Sequence, residues 1–137
     1  MRNTSVHATN IEFCALFATE MKDFYLLSLL LTADEAKAEK CFVSSLEGCI
    51  EENSVFKEWA HSWAKRVIVK NGIQMIAPRI CHSRDTVPAP PDVCGCFRGT
   101  QQAHRAMVRI FTLRDFERIV FVLSVLERYS DRECAHF

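Results

Sequence analysis

Six basic side chains lie on or just after one predicted helix in the middle of the chain: Lys57, His61, Lys65, Arg66, Lys70 and Arg79. The first three recur every four residues, which predicts that they share one helix face. Lysine and arginine neutralise phosphates and release counterions, so such a face is typical of nucleic-acid binding. A merely solvated helix face has the same pattern, and charge alone leaves both interpretations open.

A second group of residues has the chemistry of metal binding or thiol redox. Cys94 and Cys96 form a CxC pair, and Cys81 and His82 lie upstream. Thiolate and imidazole groups bind Zn²⁺, but the interval from Cys81 to Cys94 is not a standard zinc-ribbon spacing and no second close pair occurs. We therefore predict no metal or other cofactor and keep a zinc- or thiol-responsive module as a third hypothesis.

The sequence carries no motif for bond chemistry, and its composition is that of a folded helical protein. It has no glycine-rich phosphate loop, HExxH or GxSxG, so no enzyme is predicted. Of its 137 residues, 49% are hydrophobic and 25% are charged, and the seven cysteines are expected to be mainly reduced and buried. The longest apolar run is too short for a membrane span and the N-terminus has no apolar signal core, so we expect a cytoplasmic protein.

Charge is segmented although the formal net charge is zero. Residues 1–53 hold four basic and nine acidic side chains, whereas residues 54–110 hold nine basic and three acidic ones. A basic middle segment in a neutral chain favours local contact with a polyanion.

Hydrophobic periodicity predicts an all-α fold with two helical blocks. Helices are expected over about 11–31, up to about Cys49, over 55–76 and over 115–129, with Gly72 and Pro78 ending the third. Four prolines at 78–91 indicate a linker. The predicted organisation is a helical domain at 11–79, a linker at 80–102, and an incomplete helix-turn-helix-type fragment at 103–137.

The same periodicity predicts helix caps and buried faces. Residues 32–35 and 112–115 fit the capping-box pattern, in which a threonine hydroxyl accepts a backbone N–H. The third helix has a predicted apolar core face: Phe56, Trp59, Ala60, Trp63, Ala64 and Val67. An uncovered apolar face is expected later in the chain, suited to self-association: Phe121, Val122 and Val125.

These patterns resemble bacterial RNA polymerase sigma factors of the extracytoplasmic-function group. The family's promoter-melting domain has matching motifs, here Leu-Thr-Ala-Asp at 31–34, Ala-Glu at 38–39, Phe-Lys-Glu-Trp at 56–59 and Ala-Lys-Arg at 64–66. The start of its second DNA-binding domain is similar to Glu-Arg-Ile-Val-Phe-Val-Leu at 117–123, then Leu-Glu, Ser130 and Glu-Cys-Ala at 133–135. The resemblance covers roughly residues 20–79 and 113–135.

The resemblance implies binding to core RNA polymerase and to the −10 element of promoter DNA. The basic helix and the loop before it would contact the DNA, with flipped bases held by stacking and edge contacts. The polymerase would be gripped through the second helix, at Glu35, Glu39, Lys40 and Ser44. An anti-sigma factor is a further implied partner.

The chain departs from the family pattern at three places, one of which is the third helix, where Arg66 and Lys70 stand at positions at which the family usually carries Asn and Asp. Lys40, Val43 and Ser44 stand where the family carries acidic or amide side chains, and only two residues follow Ala135, where the −35 recognition helix begins in the family. We therefore expect −35 reading to be lost. The alternative hypothesis is a degenerate helical protein–protein interaction module without promoter activity.

Overall fold

The computed structural model describes residues 7–51, 55–82, 101–129 and Arg132, and this part of the chain is all-α. The helices are α1 (Asn10–Thr19), α2 (Met21–Thr32), α3 (Glu35–Glu51), α4 (Ala60–His82), α5 (Gln101–Phe111) and α6 (Asp115–Phe121). A single 3₁₀ turn, Lys57–Trp59, precedes α4, and a π-helical segment, Val122–Leu126, follows α6. The predicted fold class is confirmed. No described helix has the length and hydropathy needed to cross a membrane.

The core is built around α2, which packs against α3, α4 and α6. Seven of its twelve residues are buried, from Phe24 to Thr32. The buried Ser28 and Thr32 hydroxyls donate to the carbonyls four residues earlier, at 2.9 and 2.8 Å. Because these polar groups are satisfied within the helix, α2 can be covered on nearly all sides.

Several predicted helix boundaries are wrong for identifiable reasons. The predicted first helix is two helices, since the chain bends at Glu20. The third helix does not end at Pro78 but continues to His82, so α4 accommodates the proline one turn before its end, although an interior proline disfavours a helix. The predicted helix over 115–129 changes from α to π geometry after Phe121.

Neither predicted capping box forms. Thr32 donates its hydroxyl hydrogen to backbone carbonyls, and Asp34 accepts the Lys37 N–H at 3.0 Å instead. At α6 the N-cap is Arg114, whose side chain makes no capping hydrogen bond, while the Thr112 hydroxyl donates back to the Arg109 carbonyl at 2.6 Å. Local sequence allows both arrangements, and tertiary packing selects one.

Arg118 fastens α6 to the C-terminal end of α2. Its guanidinium is fully buried and donates to the carbonyls of Leu30 at 2.8 Å and Leu31 at 3.0 Å, and to the Asp115 carboxylate at 2.7 Å. The last carbonyls of a helix have no intrahelical donors, and the helix dipole makes that end negative. A cation from a residue 87–88 positions later satisfies both requirements.

Two helical glycines differ in the space around them. A Cβ on Gly72 would lie 3.1 Å from Leu31 Cβ and Cδ1, whereas one on Gly48 would lie 3.7 Å from Val67 Cγ1. Leu31 is fully buried and has no room to yield. Gly72 therefore permits the close approach of α4 to α2.

We expect Gly48→Ala to raise the free energy of unfolding by about 0.5–1 kcal/mol, because alanine favours the helix and meets only ordinary contact. Gly72→Ala should lower it by about 1 kcal/mol, since overpacking outweighs the same gain. Urea denaturation of the two variants checks this. Equal stabilisation by both would contradict the close approach.

We expect Arg118→Met to lower the free energy of unfolding by about 3–5 kcal/mol, because the buried Asp115 carboxylate would lose its guanidinium partner. Removing that carboxylate as well, in Asp115→Leu with Arg118→Met, should recover part of the loss. Arg109→Met, at an exposed arginine on α5, is the matched control for urea denaturation. A cost for Arg118→Met within about 1 kcal/mol of the control would exclude an anchoring role.

Candidate nucleic-acid interface

The face that α4 buries overlaps only in part with the one that the sequence predicted, because Ala64 is buried as expected but the aromatic residues of that face are exposed. Ala64, Ile68, Val69 and Ile76 are fully buried, whereas Trp59 is 63% exposed and Trp63 is 37% exposed. The predicted core placement of the two tryptophans is therefore wrong. Two apolar arcs of similar size run along this helix and share Ala64, and burying the one that also contains Ile68 and Gly72 lets α4 approach α2 and α3 more closely.

Turning α4 in this way brings aromatic and basic side chains together on its outer side. Trp59, Trp63, Arg66 and Lys70 lie at i, i+4, i+7 and i+11, the spacing of a single helix face, and all four are exposed. Phe56, 41% exposed, extends the row at the N-terminal end. We call these five residues the aromatic–basic face. The helical spacing of the tryptophans with two cations was the signal available in the sequence.

The N-terminal end of this face, at Phe56, is held by His7 and Ala8, which pair with residues 55–56. Ala8 N–H donates to the Val55 carbonyl at 2.8 Å, and the His7 ring stacks on Phe56 with centroids 5.0 Å apart. Phe56 in turn meets Trp59 edge-to-face at 5.3 Å. These contacts fix the orientation of exposed rings that would otherwise be free to rotate.

The predicted stripe of Lys57, His61 and Lys65 instead faces other parts of the protein. Lys57 Nζ pairs with Glu12 Oε1 at 2.8 Å, and its hydrogen bond, with that from the Thr9 backbone, lowers the pKa of Glu12. The His61 ring lies 5.5 Å from Phe24. Lys65 Nζ pairs with Glu127 Oε2 at 2.9 Å.

The other predicted basic residues have different settings. The Arg66 guanidinium lies 5.8 Å from the centre of the Tyr129 ring, and Lys70 is exposed. Arg79 is on the last turn of α4, and its side chain lies outside the described residues. Of the five predicted residues whose side chains are described, the structure therefore brings only Arg66 and Lys70 onto the aromatic–basic face.

A small cavity lies beside the N-terminal end of this face. It has a volume of about 240 Å³, and its polar lining comes from Glu12, Lys57, Glu58 and His61, with Ala8 and Leu16 among the apolar lining. Carboxylates and an imidazole at the mouth of an apolar cavity are suited to hydrogen-bonding the edge of a planar heterocycle.

The residues predicted to grip the polymerase are on the outer side of α3. Glu35, Glu39 and Lys40 are exposed, and Ser44 is half-buried. Glu39 and Lys40 line a shallow depression of about 420 Å³ together with Val43, which is 47% exposed. The structure thus presents most of this surface outwards.

The apolar face predicted for self-association is not formed as expected. Val122 is fully buried and Phe121 is half-buried; of the three predicted residues only Val125 is exposed. The exposed apolar side chains of this region are Phe116, Val120, Val125 and Leu126. Val122 packs into the core, and the change to π geometry rotates only the residues that follow it away from their α-helical positions.

Two of the three cysteines with described side chains agree with the expectation of reduced, buried thiols. Cys41 and Cys49 are buried and unbridged, and Cys14 is exposed. Burial raises the pKa of the Cys41 thiol, which donates to the Ile68 carbonyl at 3.4 Å, and raises that of Cys49 to about 11.

The zinc- or thiol-responsive hypothesis falls largely on undescribed residues. Cys94 and Cys96 lie outside the described residues, as do the side chains of Cys81 and His82. Within the described part of the chain, no three metal-binding side chains cluster.

Comparison with known proteins adds no relative. No protein-family model matches the chain, and no curated protein and no solved structure is detectably similar to it.

In the native protein at pH 8, we expect iodoacetamide to alkylate Cys14 rapidly while Cys41 and Cys49 react only after unfolding, because burial suppresses both access and thiolate formation. Peptide mass mapping before and after urea checks this order. Native labelling of Cys49 as fast as Cys14 would contradict the burial.

The raised thiol pKa values also imply that the free energy of unfolding is retained below pH 9 and falls as the pH rises toward 11.

Proposed function

We propose that this chain is a sigma-factor-like protein of DNA-templated transcription initiation, which binds single-stranded promoter DNA of the −10 type through its aromatic–basic face. The observation that carries the proposal is the pairing of two exposed tryptophans with Arg66 and Lys70 on one side of α4. The motif resemblance at 31–34, 56–59 and 64–66 supports the same assignment.

The arrangement matches what single-stranded nucleic acid requires. Bases stack on exposed aromatic rings, and each such contact contributes about 1–3 kcal/mol without regard to sequence. Arg66 and Lys70 lie one to two turns further along the helix, where they can meet the phosphates that connect stacked bases. A duplex keeps its bases stacked on one another, so this face favours the open strand.

The cavity beside Phe56 and Lys57 supplies the sequence-reading part of the proposal. A base turned out of the strand at the N-terminal end of α4 would enter between Glu12, Glu58 and His61. Carboxylates accept hydrogen bonds from exocyclic amino groups, so the lining favours adenine or cytosine over thymine.

Core RNA polymerase is the proposed protein partner, and the exposed side of α3 is the proposed contact. Glu35, Glu39 and Lys40 carry both signs of charge around the partly exposed Val43, as is common at the rim of a protein interface. Retention of tagged protein on purified core polymerase, lost in Lys40→Glu with Val43→Glu, tests this half of the proposal. An equal loss in Phe116→Glu would indicate a different contact surface.

We expect Trp59→Ala and Trp63→Ala each to weaken binding to a labelled single strand of about 12 nucleotides by roughly 5- to 100-fold, the effect of one lost base stack. Lys70→Gln should reduce the salt dependence of log K by about 0.7. Fluorescence anisotropy in low and high salt measures both. A duplex of the same sequence should bind more weakly.

Phe116→Ala is the matched control, because Phe116 is 66% exposed, close to the 63% of Trp59, but lies on α6. It should leave the affinity unchanged, and all three aromatic variants should unfold at nearly the wild-type urea concentration. Absence of binding at low salt, or an equal loss in Phe116→Ala, would reject the proposed nucleic-acid site.

A further inference from the structure

The last described segment of the chain contacts two neighbouring cations of α4. The Lys65 ammonium is 2.9 Å from the Glu127 carboxylate, with the two side chains 29% and 17% exposed. Next to it, the Tyr129 ring lies against the Arg66 guanidinium, 5.8 Å from its centre. We call Glu127 and Tyr129 the C-terminal clamp.

The backbone around the clamp is shaped to make these contacts. The Glu127 N–H donates to the Val122 carbonyl at 2.9 Å, which closes the π turn. Arg128 then takes a left-handed conformation, with φ 56°, and the Tyr129 N–H donates back to the Leu123 carbonyl at 2.8 Å. This hydrogen-bonded chain reversal directs both clamp side chains toward α4.

The clamp presents to α4 an anion and a flat ring, which resemble the phosphate and the base of a nucleotide. Glu127 offers an anionic oxygen to a lysine, as a phosphate does, and Tyr129 offers a flat ring to a guanidinium, as a base does. Arg66 belongs to the aromatic–basic face and Lys65 is its neighbour in the sequence, while Trp59 and Trp63 stay exposed. The clamp therefore contacts the basic edge of the proposed DNA site, where Arg66 is still exposed, and leaves the aromatic part of the site open.

We propose that the C-terminal clamp is an autoinhibitory contact, in which Glu127 and Tyr129 compete with single-stranded nucleic acid for Lys65 and Arg66. The inference rests on the proposed function and adds a regulator to the same site. Arg118 keeps α6 docked, so the clamp remains tethered near α4 when it opens and acts at a high effective concentration. Each clamp contact is partly exposed and of a weak kind, so opening is reversible.

The test compares the affinity of the full chain and its variants for the labelled single strand in low salt. Glu127→Gln with Tyr129→Leu should bind about 3- to 30-fold more tightly than the wild type, because a part-exposed ion pair and a cation–π contact no longer compete. Glu127→Gln alone should give a smaller gain. Circular dichroism confirms that each variant keeps its helix content.

Glu117→Gln is the control for charge, since it removes one negative charge from an exposed position on α6 without altering the clamp. An affinity of the clamp variant no higher than that of the control overturns the autoinhibition, while dependence on Trp59 still upholds the proposed function. If neither wild type nor clamp variant binds the strand, both ideas fail together.

Discussion

The buried guanidinium of Arg118 is the interaction on which the arrangement of this protein depends. It neutralises Asp115 and supplies donors to the carbonyls of Leu30 and Leu31, at the end of the helix around which the core is built. A buried end of α2 without donors would carry a desolvation cost that the surrounding apolar contacts would have to offset. The contact also decides where α6 lies, and hence what reaches α4. Packing in the core and the contacts that the later residues make with the surface of α4 thus depend on the same side chain.

The surface of α4 follows from a choice between two apolar arcs. Burying the arc of small residues allows α4 to approach α2 at Gly72, and the consequence is that Trp59 and Trp63 face outwards. Exposing two tryptophans is unfavourable for folding alone, which is why such rings on a basic helix favour a binding role. The cations predicted to form that surface do not all lie on it, since Lys57 and Lys65 form ion pairs with carboxylates of the same chain.

The sequence was sufficient for the fold class and for the existence of most helices, because periodicity over ten or more residues reports burial directly. It was insufficient for the orientation of α4, since an arc containing Trp59 and one containing Ile68 satisfy the same periodicity, and only packing distinguishes them. Arg66 and Lys70, which were predicted to bind DNA, are exposed, but the two tryptophans that precede them on the same face were assigned to the core. The role of Arg118 in docking α6 had no local signal, as its carbonyl acceptors on α2 are 87 and 88 residues away.

The π-helical segment gives the C-terminal contact an unusual sensitivity to chain length. A π turn holds one more residue than an α turn, and one residue corresponds to a rotation of about 100° around a helix axis. Were Val122–Leu126 wound as an ordinary α-helix, Glu127 and Tyr129 would project in another direction. Adding or removing a single residue in this segment would therefore separate Glu127 and Tyr129 from α4 more thoroughly than changing the chemistry of any one residue. The number of residues in Val122–Leu126, rather than their identity, is therefore what preserves the contact with α4.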